Sequence, residues 1–259
     1  MIPLKDYNPT SRTAVLTIGI IALNVFVYFF VQPHPGRGVV QSQTEDETFS
    51  FQHAAVPCEV VQGRPLTEQE YSETTGPLHD DHACSSAPQS PPEFPGKPVY
   101  LAILYSMFLH GSLIHIGGNM LFLWVFGNNI EDVMGYVGYL VFYLASGLVA
   151  AFTHIVTQPA STIPIVGASG AIAGVMGAYL VLFPNVKIRS VVIFYFLFIR
   201  DITAKWLLGF WFVLQFFTSP GSGVAWVAHV GGFVFGALVG LVLRDRLRPK
   251  RTVWYPQPG

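Results

Sequence analysis

Long apolar stretches that almost lack charge constrain this chain more than any other feature of its sequence. From Leu101 to Phe183 the only formally charged side chains are those of Glu131 and Asp132. A helix needs about 20 apolar residues to cross the roughly 30 Å of hydrocarbon in a bilayer. The chain is 51% hydrophobic and 11% charged, whereas a soluble domain is typically about 25% charged. The pattern predicts an all-α, polytopic membrane protein.

The apolar runs predict six transmembrane helices that form one bundle. They cover residues 13–31, about 104–127, 136–157, 165–184, 203–218 and 224–243. The first run has no obvious small-residue cleavage site, which favours a membrane helix over a cleaved signal peptide. A further apolar run, 190–199, would reach only about 15 Å as a helix. We interpret it as an interfacial or re-entrant piece.

Basic residues predict the orientation of these spans. With six spans, eleven basic residues fall on one side of the membrane: Lys5, Arg12, Lys187, Arg189, Arg200, Lys205, Arg244, Arg246, Arg248, Lys250 and Arg251. The positive-inside rule assigns that side to the cytoplasm. We therefore expect a multi-pass protein of the cell membrane, with a short cytoplasmic N-terminus over 1–12, the membrane domain over 13–243 and a basic cytoplasmic tail over 244–259.

The segment 33–98 then lies on the outer side, between spans one and two. It is rich in Pro, Ser and Thr and holds ten acidic residues against three basic ones. Such a composition buries little apolar surface, so we expect the segment to be largely flexible. Cys58 and Cys84 both lie in it. They can form a disulfide in an oxidising exterior, or remain two free thiols.

Polar side chains inside the predicted spans are candidates for function, because burying them in hydrocarbon is costly. Span two reads FLHGSLIHIGGNMLFLWVFG and carries His115 and Asn119, which are four residues apart and share a helix face. Span four carries Ser169 within GASG, and span six carries His229 within AWVAHVGG. Taken singly, each of these residues has a structural interpretation as a packing or hydrogen-bonding contact between helices.

Small residues beside Ser169 and His229 predict that spans four and six pack closely. The glycines at this spacing are Gly170 and Gly174 in span four, and Gly232, Gly236 and Gly240 in span six. Such glycines let two helix backbones approach each other. The approach would bring Ser169 Oγ within hydrogen-bond reach of His229, the minimum for an activated serine nucleophile.

A complete Ser–His–Asp triad is not predicted. The carboxylates between residues 101 and 243 are those of Glu131, Asp132 and Asp201, all assigned to the inner side. A Ser–His dyad remains, formed by Ser169 and His229. His115, Asn119 and the Ser169 backbone N–H can donate hydrogen bonds to an oxyanion.

Taken together, HGSLIHIGGN, GASG and AHVGG resemble the motifs of the rhomboid intramembrane serine proteases. The resemblance covers most of 100–243, together with the first span and the topology. It implies that Ser169 is the nucleophile and that His229 is the general base and acid. It also implies an oxyanion site made by His115, Asn119 and the Ser169 amide. Three more residues are implied to support the site: His110, Gly167 and Gly170.

The resemblance implies an endopeptidase that works in the lipid bilayer and cuts single-span membrane proteins near the outer membrane face. It implies an acyl-enzyme intermediate and no metal or cofactor. The net charge of −1 suggests no nucleic-acid partner. One departure is that 33–98 contains no Trp, so the Trp-Arg pair that many members carry in this segment is missing.

Two alternatives stay open at this point. One is a catalytically inactive protein of the same fold that binds membrane clients without cleaving them. The other is a transport or b-haem electron-transfer protein that uses His115, His154 and His229. The second alternative leaves the GASG motif unexplained.

Overall fold

α-Helices dominate the chain in the computed structural model, which describes residues 1–33, 41–77, 79–87, 89–193, 197–218 and 225–247. The helices are α1 (Val15–Phe26), α2 (Gln41–His53), α3 (Pro57–Gln62), α4 (Glu68–Thr75), α5 (Ala102–Ser106), α6 (Leu113–Thr157), α7 (Ser169–Leu182), α8 (Ala204–Gln215), α9 (Trp226–Val242) and α10 (Arg244–Leu247). The strands are β1 (Ile2–Asp6), β2 (Lys187–Ile193) and β3 (Leu197–Thr203). The fold is mostly helical, as predicted, and the three strands depart from the all-α prediction.

Each predicted span contains a helix, although the helices differ in length. Helix α1 continues as a π-helical turn over Val27–Val31. By length and composition, α6 is the one helix in the described part of the chain that could cross a membrane alone. The shorter apolar helices are Val15–Val31, Ser169–Leu182 and Trp226–Val242. The number of six spans therefore stays a prediction.

The second and third predicted spans are the two halves of α6, which is kinked at Gly135. This residue has φ 70° and ψ 169°, a conformation outside the helical region that glycine adopts without steric penalty. Span two was expected to begin near residue 104, but α6 begins at Leu113. The Ser112 side chain caps this start, since its Oγ accepts from the His115 N–H at 3.1 Å. Residues 102–106 form the separate short helix α5.

The two acidic residues between spans two and three hold the start of α1. Glu131 accepts from the backbone N–H groups of Leu16 and Thr17, at 2.9 and 2.8 Å. Asp132 accepts from the N–H groups of Ser11 and Arg12, each at 3.0 Å. The first N–H groups of a helix have no partner within it, so Glu131 satisfies donors of α1 that are otherwise costly to bury. Asp132 instead holds the exposed residues just before the helix.

The run 190–199, which we interpret from sequence as an interfacial or re-entrant piece, is extended. Strands β2 and β3 pair antiparallel as a hairpin, and β1 adds to β2 in a three-stranded sheet. Residues 194–196, between the two strands, lie outside the described part. The physical reason is composition, because the run is built from β-branched and aromatic residues that favour an extended backbone.

Helices α7 and α9 pack with their backbones in direct contact, and glycine makes this possible. A Cβ atom placed on Gly236 would overlap the Gly174 carbonyl, and one placed on Gly232 would overlap the Gly170 carbonyl. A Cβ on Gly177 would overlap the Phe233 carbonyl. The predicted close approach of spans four and six is confirmed.

The segment predicted to lie outside, called the outer segment below (residues 41–98 as far as they are described), is folded. Helices α3 and α4 enclose a small apolar cluster of Phe51, Val56, Cys58 and Leu66, with Tyr71, Cys84 and Phe94 packed against it. A disulfide bond joins Cys58 to Cys84. This corrects the expectation of a largely flexible segment. Hydrophobic residues that are sparse in the sequence gather at one place, and the disulfide links two distant parts of the chain.

The predicted outer segment and the predicted basic tail both include residues that the structure does not describe. Residues 34–40 belong to the predicted outer segment and are not described. In the basic tail over 244–259, Arg244–Leu247 forms α10, and residues 248–259 are not described.

Candidate active site

Ser169 lies at the first residue of α7, although the sequence analysis placed it inside a span that starts at residue 165. Residues 163–168 are not helical, and Ile165 forms an isolated β-bridge with Ala55 instead. At the start of a helix, the backbone N–H groups have no intrahelical partner and carry the positive end of the helix dipole. The Ser169 hydroxyl therefore lies beside unsatisfied backbone donors.

His229 lies in the first turn of α9, opposite Ser169. The Ser169 Oγ and His229 Nε2 atoms are 2.8 Å apart. The glycine contact between α7 and α9 positions the two residues, because Gly232 is one turn beyond His229 and meets the carbonyl of Gly170. The structure thus brings together the two residues that the sequence analysis selected as a dyad. Their catalytic roles stay predictions.

Gln215, the last residue of α8, contacts the other ring nitrogen of His229. Gln215 Oε1 lies 2.8 Å from His229 Nδ1, and Gln215 Nε2 donates to the Trp211 carbonyl at 3.0 Å. The Trp211 ring also packs near His229, with 5.8 Å between the ring centroids. Both nitrogens of the imidazole therefore have side-chain partners.

A cavity of about 1190 Å³ opens beside the dyad. Its lining includes Ser169, His229, His115, Asn119, His154 and Trp211. Asn119 is buried, and its Nδ2 has no hydrogen-bond partner among the described residues. Polar side chains of α6, α7 and α9 thus line one cavity with Ser169.

Gly167 holds the chain in an unusual conformation two residues before Ser169. Its φ of 122° lies in the region that L-residues rarely adopt. A Cβ at this position would lie 2.8 Å from His115 Nε2 and 3.5 Å from Ser169 Oγ. The Gly167 N–H donates to the Ser106 carbonyl at 2.9 Å, which fixes the loop. Only glycine leaves room for the His115 ring beside Ser169.

His110 is fully buried and lies outside the set of residues that line the cavity. Its backbone forms two hydrogen bonds with the Gln32 side chain, at 2.9 and 3.1 Å. Its ring packs edge-on against the His115 ring, with 5.1 Å between centroids. His110 therefore supports His115 from behind and ties the end of the first span to the start of the second.

The outer segment is fixed to the loop that leads to Ser169. The Ala55 N–H donates to Ser106 Oγ at 2.7 Å, and the Ala55 carbonyl accepts from the Ile165 N–H at 2.8 Å. The Cys58 N–H donates to the Ser161 carbonyl at 2.9 Å. The segment also contributes Asp81 and His82 to the lining of the cavity.

Gln215 is the site residue that the sequence analysis did not select. It occurs in the stretch WFVLQFF of the fifth predicted span. A polar residue in an apolar span is a functional candidate by the same argument that selected Asn119. Its partner His229 lies 14 residues further along the chain, on another helix, so spacing alone did not indicate the contact.

The family model of the Rhomboid domain matches residues 98–246. Among curated proteins, the chain is 28% identical over 160 residues to "Rhomboid protein 1, mitochondrial" of Saccharomyces cerevisiae, covering 58% of this chain and 44% of that protein. It is 30% identical over 141 residues to "Presenilin-associated rhomboid-like protein, mitochondrial" of Bos taurus, covering 52% and 36%. It is 29% identical over 148 residues to "RHOMBOID-like protein 5" of Arabidopsis thaliana, covering 57% and 45%. The aligned region is thus less than half the length of each relative.

Proposed function

Because this chain belongs to the rhomboid family, whose members are membrane proteins, we propose that it is an intramembrane serine endopeptidase. The observation that carries the proposal is the 2.8 Å contact between Ser169 Oγ and His229 Nε2 at the wall of a cavity. A serine hydroxyl is a weak nucleophile unless a base lies within about 2.6–3.2 Å of it. A structural serine in a glycine-rich helix has no need of such a partner.

The first half of the proposed reaction forms an acyl-enzyme. Ser169 Oγ attacks the scissile carbonyl carbon while its proton moves to His229 Nε2. The resulting tetrahedral intermediate collapses, and His229 gives the proton to the nitrogen of the leaving amine. The peptide C–N bond breaks, and the acyl group stays on Ser169 as an ester.

The second half returns the enzyme to its starting state. Water gives a proton to His229 Nε2 and adds to the ester carbonyl. Collapse of the second tetrahedral intermediate returns that proton to Ser169 Oγ and releases the new carboxyl terminus. No metal or cofactor takes part in this scheme.

The proposed oxyanion site consists of His115, Asn119 and the Ser169 backbone N–H. Support comes from Asn119 Nδ2, which has no partner among the residues that the structure describes, from His115 in the cavity lining and from the position of Ser169 at the start of α7. Removing one donor of this kind typically slows a reaction by about 10²–10³.

The proposed substrates are single-span membrane proteins that enter from the lipid bilayer. An intact helix keeps each carbonyl hydrogen-bonded, so the substrate must unwind locally before Ser169 can reach the scissile bond. The distribution of basic residues supports cytoplasmic termini and a site near the outer face. We further propose a location in the cell membrane.

Reconstitution in lipid vesicles with a single-span test substrate provides the experiment. We expect the native chain to cleave it, and Ser169→Ala and His229→Ala each to lower the rate by at least about 10³. Thr153→Ala is a matched control, since Thr153 Oγ1 donates to the Val149 carbonyl within its own helix. Cleavage by Ser169→Ala at the native rate would overturn the proposal. Substrate capture without cleavage by the native chain would indicate the inactive, client-binding alternative.

A further inference from the structure

We propose that Gln215 is a positioning residue for catalysis, which holds the His229 ring in the tautomer that can accept the Ser169 proton. The inference rests on the proposed function and adds a third member, from the fifth predicted span, to the Ser–His pair. The observation behind it is a continuous chain of contacts from the Trp211 carbonyl through the Gln215 amide and His229 to Ser169.

The Trp211 carbonyl determines which way the Gln215 amide faces. A carbonyl oxygen can only accept, so the atom of Gln215 that lies 3.0 Å from it must be the amide nitrogen. The amide oxygen then faces His229 Nδ1 at 2.8 Å. The opposite orientation would place the amide oxygen of Gln215 against the carbonyl oxygen of Trp211, and two acceptors cannot form a hydrogen bond.

The orientation of the amide determines the tautomer of His229. An amide oxygen cannot donate, so Nδ1 must carry the ring proton of the neutral imidazole. Nε2 is then the nitrogen with a free lone pair, and it is the one that lies 2.8 Å from Ser169 Oγ. Without an acceptor at Nδ1, the ring proton is free to reside on Nε2, where the histidine cannot act as a base for Ser169.

Gln215 acts through His229 and not on the substrate. It is buried, and it lies outside the set of residues that line the cavity. In a serine triad the corresponding acceptor is a carboxylate, which also stabilises the imidazolium by its charge. A carboxylate at this depth of a membrane would be costly to bury. A neutral amide supplies the acceptor without adding a buried charge.

The test compares Gln215→Met and Gln215→Glu with the native chain in the vesicle assay. Methionine has a similar length but no comparable acceptor, and we expect it to lower kcat by roughly tenfold with KM unchanged, the effect of one neutral hydrogen bond. Glutamate keeps an oxygen that can accept from Nδ1 whether it is charged or protonated, so it should restore kcat to within about threefold of native. Leu214→Met is the matched control, because that side chain is exposed on the neighbouring position of α8.

A structural role for Gln215 would give a different pattern. In that case both substitutions at residue 215 would lower the midpoint of thermal unfolding, and the glutamate variant would not recover activity. A native kcat in folded Gln215→Met would overturn the inference. If the methionine variant is not recovered folded, Gln215→Ala gives the same comparison with glutamate. Failure of the proposed function is distinct, since the native chain would then not cleave or Ser169→Ala would still cleave.

Discussion

At the scale of single residues, the space around Ser169 is controlled by the residue two positions before it. Gly167 has a positive φ, and a Cβ there would lie 2.8 Å from His115 Nε2. Adding one methyl group therefore combines backbone strain with displacement of a proposed oxyanion donor. Gly167 is therefore important because it has no side chain that would displace His115.

We predict that Gly167→Ala lowers kcat by about 10² or more, because loss of one oxyanion donor has an effect of that size. The measurement is steady-state cleavage in vesicles, with a melting curve to show that the protein is folded. Gly96→Ala is the control, since a Cβ at Gly96 meets nothing within 4 Å. If Gly167→Ala cleaves at the native rate, His115 does not contribute through its present position.

At the scale of secondary-structure elements, the dyad depends on the backbone contact between α7 and α9. Ser169 and His229 lie on different helices and are linked through this seam, in which Gly174 faces Gly236. Backbone atoms cannot rotate away as a flexible side chain can, so any side chain in the seam separates the helices. Separation of the helices lengthens the distance between Oγ and Nε2.

We therefore expect Gly236→Ala to destabilise the fold by at least about 1–3 kcal/mol, the usual range for overpacking, and to lower cleavage as well. Gly19→Ala in α1 makes the same chemical change where a Cβ meets nothing within 4 Å. It should be neutral or slightly stabilising, because alanine favours a helix more than glycine does. Thermal unfolding in detergent measures both variants, and equal midpoints would contradict the importance of the seam.

Sequence reasoning succeeded where periodic or local signals were strong. The apolar runs predicted a helix in each expected region, and the glycine spacing predicted the contact between α7 and α9. It did not predict the strands at 190–199, since a short apolar run fits a strand as well as a helix piece. It also missed Gln215, because the contact with His229 depends on how α8 packs against α9, which no local pattern reveals.

At the scale of the whole molecule, the outer segment and the membrane helices form a connected structure around the site. Ala55 bonds both to Ser106 and to Ile165, in the loop before Ser169. On the helices, large apolar side chains such as Ile114, Val137 and Val242 are more than three-quarters exposed. Lipid contact explains such exposure, whereas a water-soluble protein rarely presents so much apolar surface.

Within the outer segment, Glu70 of α4 forms hydrogen bonds with Arg64 and with the Ser85 N–H, and so connects the helix to these two parts of the segment. Its carboxylate forms two 2.8 Å bonds with Arg64 and completes a capping box with Thr67. Burial alone would raise the pKa of Glu70, but the Arg64 guanidinium and the N–H groups of Thr67 and Ser85 lower it from 4.5 to about 2. The ionised form is therefore bound more strongly in the folded state than in the unfolded state.

A carboxyl group with a lowered pKa stabilises the fold above its unfolded value, and that contribution is lost as the pH falls through the folded value. We expect the outer segment to become sensitive to an acid protease as the pH falls from about 4.5 toward 2. Glu70→Gln should weaken the segment at neutral pH by about 1.5–3 kcal/mol, since it removes charge-assisted hydrogen bonds. Glu73→Gln, at an exposed position of the same helix, is the control. Equal proteolysis of the two variants would count against the role of Glu70.

The central claim is that Ser169 in this chain is a nucleophile activated by His229. The most direct measurement is labelling in membranes with a fluorophosphonate, followed by peptide mapping of the modified residue. We predict one adduct, on Ser169, and labelling at least about 10²-fold slower in His229→Ala, since general-base catalysis contributes 10²–10⁴. An adduct on a different serine, or an equal rate in the native chain and in His229→Ala, would contradict the claim.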